Sequence, residues 1–127
     1  MRYGSLSICL LASVFSAPAG TESAYRTFDD PSLAQGRVLW LDHCETCHGY
    51  GIAGAPIPMR AEDWRPRLAR DRSQLYLHAI EGFFGPEDTY MPPRGGNPQL
   101  SDEQVRLAVD YMVDLAGYYL RQQEKQP

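Results

Sequence analysis

The sequence predicts a small all-α domain of three to five helices. Two helix-start signals, the 3.6-residue spacing of apolar residues behind them, and the lack of any alternating run long enough for a sheet predict it. Between the helical stretches lie loops rich in Pro and Gly.

The first helix is expected from Asp30-Pro31, an N-cap followed by proline at the first helical position, to about Cys44. Gly36, Trp40 and Cys44 recur every four residues and share one face. A glycine inside a helix costs about 1 kcal/mol against alanine, so Gly36 marks either a close approach by another helix, the preferred reading, or simple tolerance. Residues 49–62, with Gly49, Gly51, Gly54, Pro56 and Pro58, are expected to form a long loop. Another helix is expected over residues 73–81, stopped by Gly82. The last helix begins at Ser101, which forms a capping box with Gln104, and Leu100 with Val105 supplies a hydrophobic staple. Val105, Ala108, Val109, Met112, Leu115, Ala116 and Tyr119 make its core stripe, and Glu103, Arg106, Asp110 and Asp114 its wet stripe. The stripe is the expected partner of the Gly36–Trp40 face.

The most specific chemistry is Cys44-Glu45-Thr46-Cys47-His48. Cys-x-x-Cys-His is the attachment signature of a covalent c-type haem. Two thiols three positions apart reach one face of a helical turn and form thioethers to the two vinyl groups of one haem. His48 then places an imidazole nitrogen under the iron as proximal ligand. A zinc site would need a second ligand pair, and beyond residue 48 there is no cysteine and only His78. A redox dithiol would need a βαβ pattern, which is absent from the sequence.

The N-terminus sets the compartment. Arg2, an apolar run over residues 6–15 and the small residues of Ala17-Pro18-Ala19 read as a secretory signal peptide over residues 1–19. Cleavage after Ala24 is a second candidate, and an uncleaved anchor the alternative. The run is too short for a membrane span, so no stable membrane insertion is expected. Cys9 leaves with the leader. Residues 20–29 and 122–127 read as loose polar ends around a single domain over residues 30–121. The chain carries 12 basic and 16 acidic residues, net −4; losing Arg2 leaves 11 against 16, net −5. Haem propionates add to that, and no nucleic-acid partner is expected.

Candidates for the other axial position are Met59, Met91, Met112, His43 and His78. Met112 lies on the core stripe, where packing is its default role. His43 adjoins Cys44 in the proximal segment. Met59 follows His48 by only eleven residues, whereas Met91 follows by forty-three, enough chain to wrap the haem edge. Pro92 and Pro93 stiffen the loop beside Met91 and lower the entropy of holding its sulfur at iron. Met91 is the preferred ligand, with His78 and Met59 as alternatives. Arg65, Arg67, Arg70 and Arg72 form either a solvated basic stripe or, in one or two members, partners of the propionates. Arg67 is the candidate taken from that stripe. Trp64 either donates its indole N–H to a propionate or packs on the haem.

With those residues on the page, the chain resembles the class I c-type cytochromes of the cytochrome c5 type over roughly residues 32–116. The resemblance rests on Gly36 and Trp40 before Cys44-Glu45-Thr46-Cys47-His48-Gly49, then Gly54-Ala55-Pro56, Trp64-Arg65-Pro66-Arg67 and Leu77-His78-Ala79-Ile80-Glu81-Gly82. It continues through Met91-Pro92-Pro93-Arg94-Gly95-Gly96, Leu100-Ser101-Asp102-Glu103 and Ala108-Val109-Asp110-Tyr111-Met112. It implies an all-helical class I cytochrome c fold around one covalent haem c and His48/Met91 ligation. It also implies one-electron transfer in a bacterial periplasm, and His78 as a helix residue. The partners implied are periplasmic redox proteins — a dehydrogenase, oxidase or reductase — met by a monomer. A haem-bearing subunit of a periplasmic dehydrogenase and an open-face haem enzyme are the alternatives. Residues 83–90, Phe-Phe-Gly-Pro-Glu-Asp-Thr-Tyr, are longer and more aromatic than the usual link into the methionine loop.

Overall fold

The computed structural model describes residues 24–126. The expected signal peptide, with Arg2 and Cys9, lies outside the described residues.

Helix α1 (Pro31–His43) starts where Asp30 accepts hydrogen bonds from Ser32 N at 2.8 Å and Leu33 N at 3.1 Å, with Pro31 at the first turn. Helix α5 (Asp102–Glu124) starts at the capping box: Ser101 Oγ accepts from Gln104 N, and Gln104 Oε1 accepts from Ser101 N. Leu100 and Val105 are both buried in the main core, as the staple requires. The two helices cross at Gly36, where an added Cβ would stand 2.2 Å from the Leu107 carbonyl oxygen. Only a residue without a side chain permits that approach. Trp40 and Tyr111, both fully buried, meet beside it with ring centroids 5.7 Å apart.

Between these helices the chain forms a single turn, α2 (Glu45–His48), then α3 (Ala61–Leu68) and α4 (Arg72–Glu81). Asp71 caps α4 through Ser73 N, and Gly82 ends it at φ +85°. Both α3 and α4 lean on α5. The tie from α4 is polar: Arg72 Nη1 lies 2.8 Å from Asp110 Oδ1 and 3.5 Å from Asp114 Oδ2, and Tyr76 donates to Asp110.

Three expectations need correction. The loop after the haem motif ends at α3, which begins at Ala61 with no side-chain cap and carries Pro66 inside it. Neither feature announces a helix. Residues 83–90 form most of an antiparallel ribbon, β1 (Phe83–Phe84) on β2 (Tyr90–Met91), closed by a turn with Glu87 and Asp88 in the left-handed region. Two residues per strand are too few to show alternation.

The ends are tied down as well. Tyr25 and Phe28 pack on the core, and Tyr111 donates to the Arg26 carbonyl at 2.8 Å. Helix α5 continues through Glu124, with Gln123 donating to the Met59 carbonyl and Glu124 paired with Arg65. Long amphipathic side chains at 123 and 124 look solvated in sequence but reach back to α3 and its approach. Among the described residues no helix is long and apolar enough to cross a membrane.

Candidate haem-binding site

Helix α1 ends at His43, and Cys44 N donates to the Trp40 carbonyl as the last bond of that helix. The chain then turns at once into α2, where His48 N donates to the Cys44 carbonyl at 2.9 Å. One turn of helix therefore presents Cys44, Cys47 and His48 to a common cavity of about 350 Å³. Both cysteines are free thiols. Burial first, and Cys47 second, push the Cys44 thiol up to about 12, so it is held protonated.

His48 is the one buried polar side chain of the core described. Its Nδ1 lies 3.0 Å from the Pro56 carbonyl oxygen. A carbonyl only accepts, so Nδ1 carries the proton and Nε2 keeps its lone pair. Burial is the main cause pulling the imidazole pKa below its ordinary value, against the opposing effect of the Pro56 bond. Neutral with a fixed tautomer is the form in which imidazole binds a metal.

Strand β2 and the segment after it also line the cavity. Met91 faces the cavity with Pro92 and Gly95 beside it, and its backbone is paired with Phe83. Met112 lines the cavity too, from α5. Met59 does not; its carbonyl is taken by Gln123. His78 lines the wall from α4, stacked on Phe83 with centroids 4.1 Å apart. His43 also reaches the rim, where its Nδ1 is 3.5 Å from Asn97 Nδ2.

Two donors at the cavity have hydrogen-bonding capacity to spare. Trp64 is 2% exposed, lines the cavity, and its indole Nε1 has no hydrogen-bond partner. Arg67 lines it half-buried, donates to the Asp63 backbone carbonyl, and has no carboxylate ion pair among the described residues. Burial is the main cause lowering the pKa of its guanidinium. The arginine stripe is thus split: Arg67 and Arg70 line the cavity, while Arg65 and Arg72 pair with acids of α5.

All six residues selected from sequence — Cys44, Cys47, His48, Trp64, Arg67 and Met91 — line this one cavity. Sequence reasoning assigned no role to Pro56, although its carbonyl fixes the imidazole. No periodicity or motif spacing marks a backbone acceptor. Two thiols, a neutral imidazole, a thioether, an orphan indole N–H and a guanidinium without a carboxylate fit a covalent haem with its anionic side chains.

Fold and site together define a small class I c-type cytochrome. The family described as "Cytochrome C oxidase, cbb3-type, subunit III" matches residues 31–112, and the chain belongs to that family of c-type cytochromes. It is 39% identical to cytochrome c-555 of Prosthecochloris aestuarii over 85 residues, 65% of this chain and 86% of that one. It is 32% identical over 75 residues to cytochrome c5 of Ectopseudomonas mendocina, 58% of this chain and 80% of the other. Among solved structures it superimposes at a TM-score of 0.56 and 36% identity on a chain from an electron transfer complex of nitrite reductase with cytochrome c, covering 68% of this chain and 96% of that chain. The protein is an electron-transfer cytochrome, and its cofactor is one covalently bound haem c.

Proposed function

We propose that the chain is a diffusible one-electron carrier exported to the periplasm by residues 1–19, with its cytochrome domain over residues 30–121 and no substrate chemistry of its own. Cys44 and Cys47 carry the haem through thioethers, His48 Nε2 is the proximal ligand, and the Met91 sulfur is the distal ligand. Trp64 and Arg67 hold the propionates. The observation that carries this reading is the convergence of both thiols, His48 Nε2 and Met91 on one largely apolar cavity.

Bound haem c supplies the Fe(II)/Fe(III) couple. The residues of this chain do the rest. Pro56 holds the His48 imidazole in a fixed tautomer. The Met91 thioether is a neutral ligand and favours the lower oxidation state. Walls such as Ala79, Val109 and Met112 exclude water, which acts in the same direction. Ile52, Phe83 and Tyr90 line the mouth of the cavity and are exposed, and Phe84, 80% exposed, stacks on Tyr90 with ring centroids 4.6 Å apart. This rim, from residues 49–55 and 83–90, is the docking surface for periplasmic redox proteins. Transient redox encounters use interfaces below about 1,200 Å².

The test is spectroscopic. The haem should survive denaturation and acidified organic solvent, and the oxidised protein should show the weak near-infrared sulfur-to-iron band. Met91→Ala should abolish that band and let carbon monoxide bind the reduced protein. Loss of the band in Met59→Ala or Met112→Ala, with Met91→Ala unchanged, refutes the ligand assignment. Rapid carbon monoxide binding by the wild-type protein at neutral pH supports an open-face enzyme instead. The match to an oxidase-subunit family favours one second reading, a haem-bearing subunit of a larger redox enzyme; a stoichiometric partner that survives gel filtration decides for it.

A further inference from the structure

We infer that Asp63 is a positioning residue that sets the electron-donating strength of His48 through a single peptide group. The inference rests on His48 being the proximal ligand. The peptide unit joining Pro56 to Ile57 is held at both ends. Its carbonyl accepts from His48 Nδ1 at 3.0 Å, and its N–H donates to Asp63 Oδ2, also at 3.0 Å. A peptide is a planar conjugated group, so a carboxylate on its N–H moves electron density toward its oxygen. Hydrogen bonds to ionised groups are roughly twice as strong as neutral ones, and bonds in series polarise one another at low dielectric. The Pro56 oxygen is therefore a better acceptor than an ordinary loop carbonyl.

The carboxylate is well placed to exert this effect. Asp63 sits in the first turn of α3, next to Trp64, which is almost fully buried. Ile57 is 6% exposed, and Pro58 after it is fully buried, so water competes little for the Ile57 N–H. The Arg67 guanidinium donates to the backbone carbonyl of Asp63 and acts on its carboxylate through space. The Asp63 carboxylate itself forms no ion pair with any other described residue.

A stronger bond at Nδ1 makes the imidazole a more basic ligand through Nε2. A more basic ligand favours Fe(III) and lowers the reduction potential. Asp63 thus opposes the upward pull of the Met91 thioether and the apolar walls. Anchoring the loop ahead of α3 is the structural alternative, and it makes a different prediction. Asparagine at this position keeps an acceptor oxygen for Ile57 N–H and loses only the charge.

The test uses the full chain matured with haem c. Asp63→Asn should raise the equilibrium constant for reduction by about tenfold, equivalent to ~59 mV for one electron. Glu62→Gln removes a neighbouring exposed charge without touching the peptide and should shift it far less. Asp63→Glu should return most of the wild-type value. In proton spectra of the reduced protein, the His48 Nδ1–H resonance should move in Asp63→Asn but not in Glu62→Gln. A potential unchanged in Asp63→Asn, or shifted equally in Glu62→Gln, overturns the inference while leaving the haem assignment intact. A haem that is not covalently attached, or is not ligated by His48, overturns the functional reading instead. If Asp63→Asn does not mature, Asp63→Ser, which also offers an uncharged acceptor oxygen, takes its place: a raised potential supports the inference and an unchanged one overturns it.

Discussion

Helices α1 and α5 and residues 83–96 both contribute side chains to the same cavity, yet the α1–α5 crossing and that segment are built on opposite principles. The crossing is two capped helices in backbone contact, with Gly36 against the Leu107 carbonyl and Trp40 against Tyr111. Residues 83–96 contain two strands of two residues each and put Glu87, Asp88 and Arg94 in the left-handed region. Arg94 fastens this segment by donating to the Leu100 carbonyl at 2.9 Å and pairing with Asp102 at 2.6 Å. Stability resides in the periodic pair of helices; the proposed distal ligand and docking surface reside on the aperiodic segment. Loops on a rigid scaffold are where binding residues concentrate.

The largest expected effect therefore falls on the crossing. Gly36→Val places a branched side chain where even a Cβ would be 2.2 Å from a backbone oxygen. Carbonyls inside a helix cannot swing away, so the helices must separate. The expected loss is about 3 kcal/mol, the upper end for overpacking, read as a fall in denaturation midpoint at unchanged m-value. A variant that melts like wild type would remove the crossing from its place as the stable region.

The same contrast decides what could be read from sequence. The Asp30 cap, the Ser101–Gln104 box, the stripe from Val105 to Ala116 and the Gly36–Trp40 face are local or periodic signals, and each corresponds to an observed contact. The Cys44–His48 motif is contiguous, so its three side chains necessarily share one turn. Helix α3 was hidden by Pro66 and an uncapped start. The ribbon was hidden by its shortness and by a turn that sets Glu87 and Asp88, rather than glycines, at positive φ. The bonds from His48 to Pro56 and from Ile57 to Asp63 involve backbone groups, which carry no residue identity to recognise. Sequence also divided the arginine stripe poorly, because partners such as Glu124 and Asp110 lie 59 and 38 residues away.

A smaller effect is expected where the two regions of loop meet. Gly54 has φ +77°, and a Cβ there would lie 2.1 Å from Thr89 Cγ2. Gly54→Ala adds left-handed strain of about 1–2 kcal/mol to a clash with a side-chain tip. Restoring van der Waals separation takes a shift of more than about 1 Å, which the Thr89 side chain and the hairpin that carries it can make more readily than the helical backbone at Gly36. Expected destabilisation is about 2 kcal/mol, with part of it recovered in Gly54→Ala/Thr89→Ala, since contacting residues are not additive. Full additivity of the pair would show that Thr89 does not rest on Gly54 and that the hairpin is not fastened across the cavity mouth.

The smallest effect on stability should come with a clear effect on exchange. Phe84 is 80% exposed, and its main described contact is the Tyr90 ring 4.6 Å away. Phe84→Ala removes little burial and should cost about 0.5 kcal/mol. If the proposed rim is where partners dock, an exposed aromatic on it is the kind of residue that carries binding energy, about 2 kcal/mol when truncated. Stopped-flow oxidation of the reduced variant separates the two roles. With hexacyanoferrate(III), which needs no complementary surface, the rate should match wild type. With a protein acceptor the apparent dissociation constant should rise. Equal rates with both oxidants would move the docking surface away from residues 83–90. A stability loss near that of Gly36→Val would show that the ribbon holds up the fold, and the division between a stabilising crossing and a functional loop would fail.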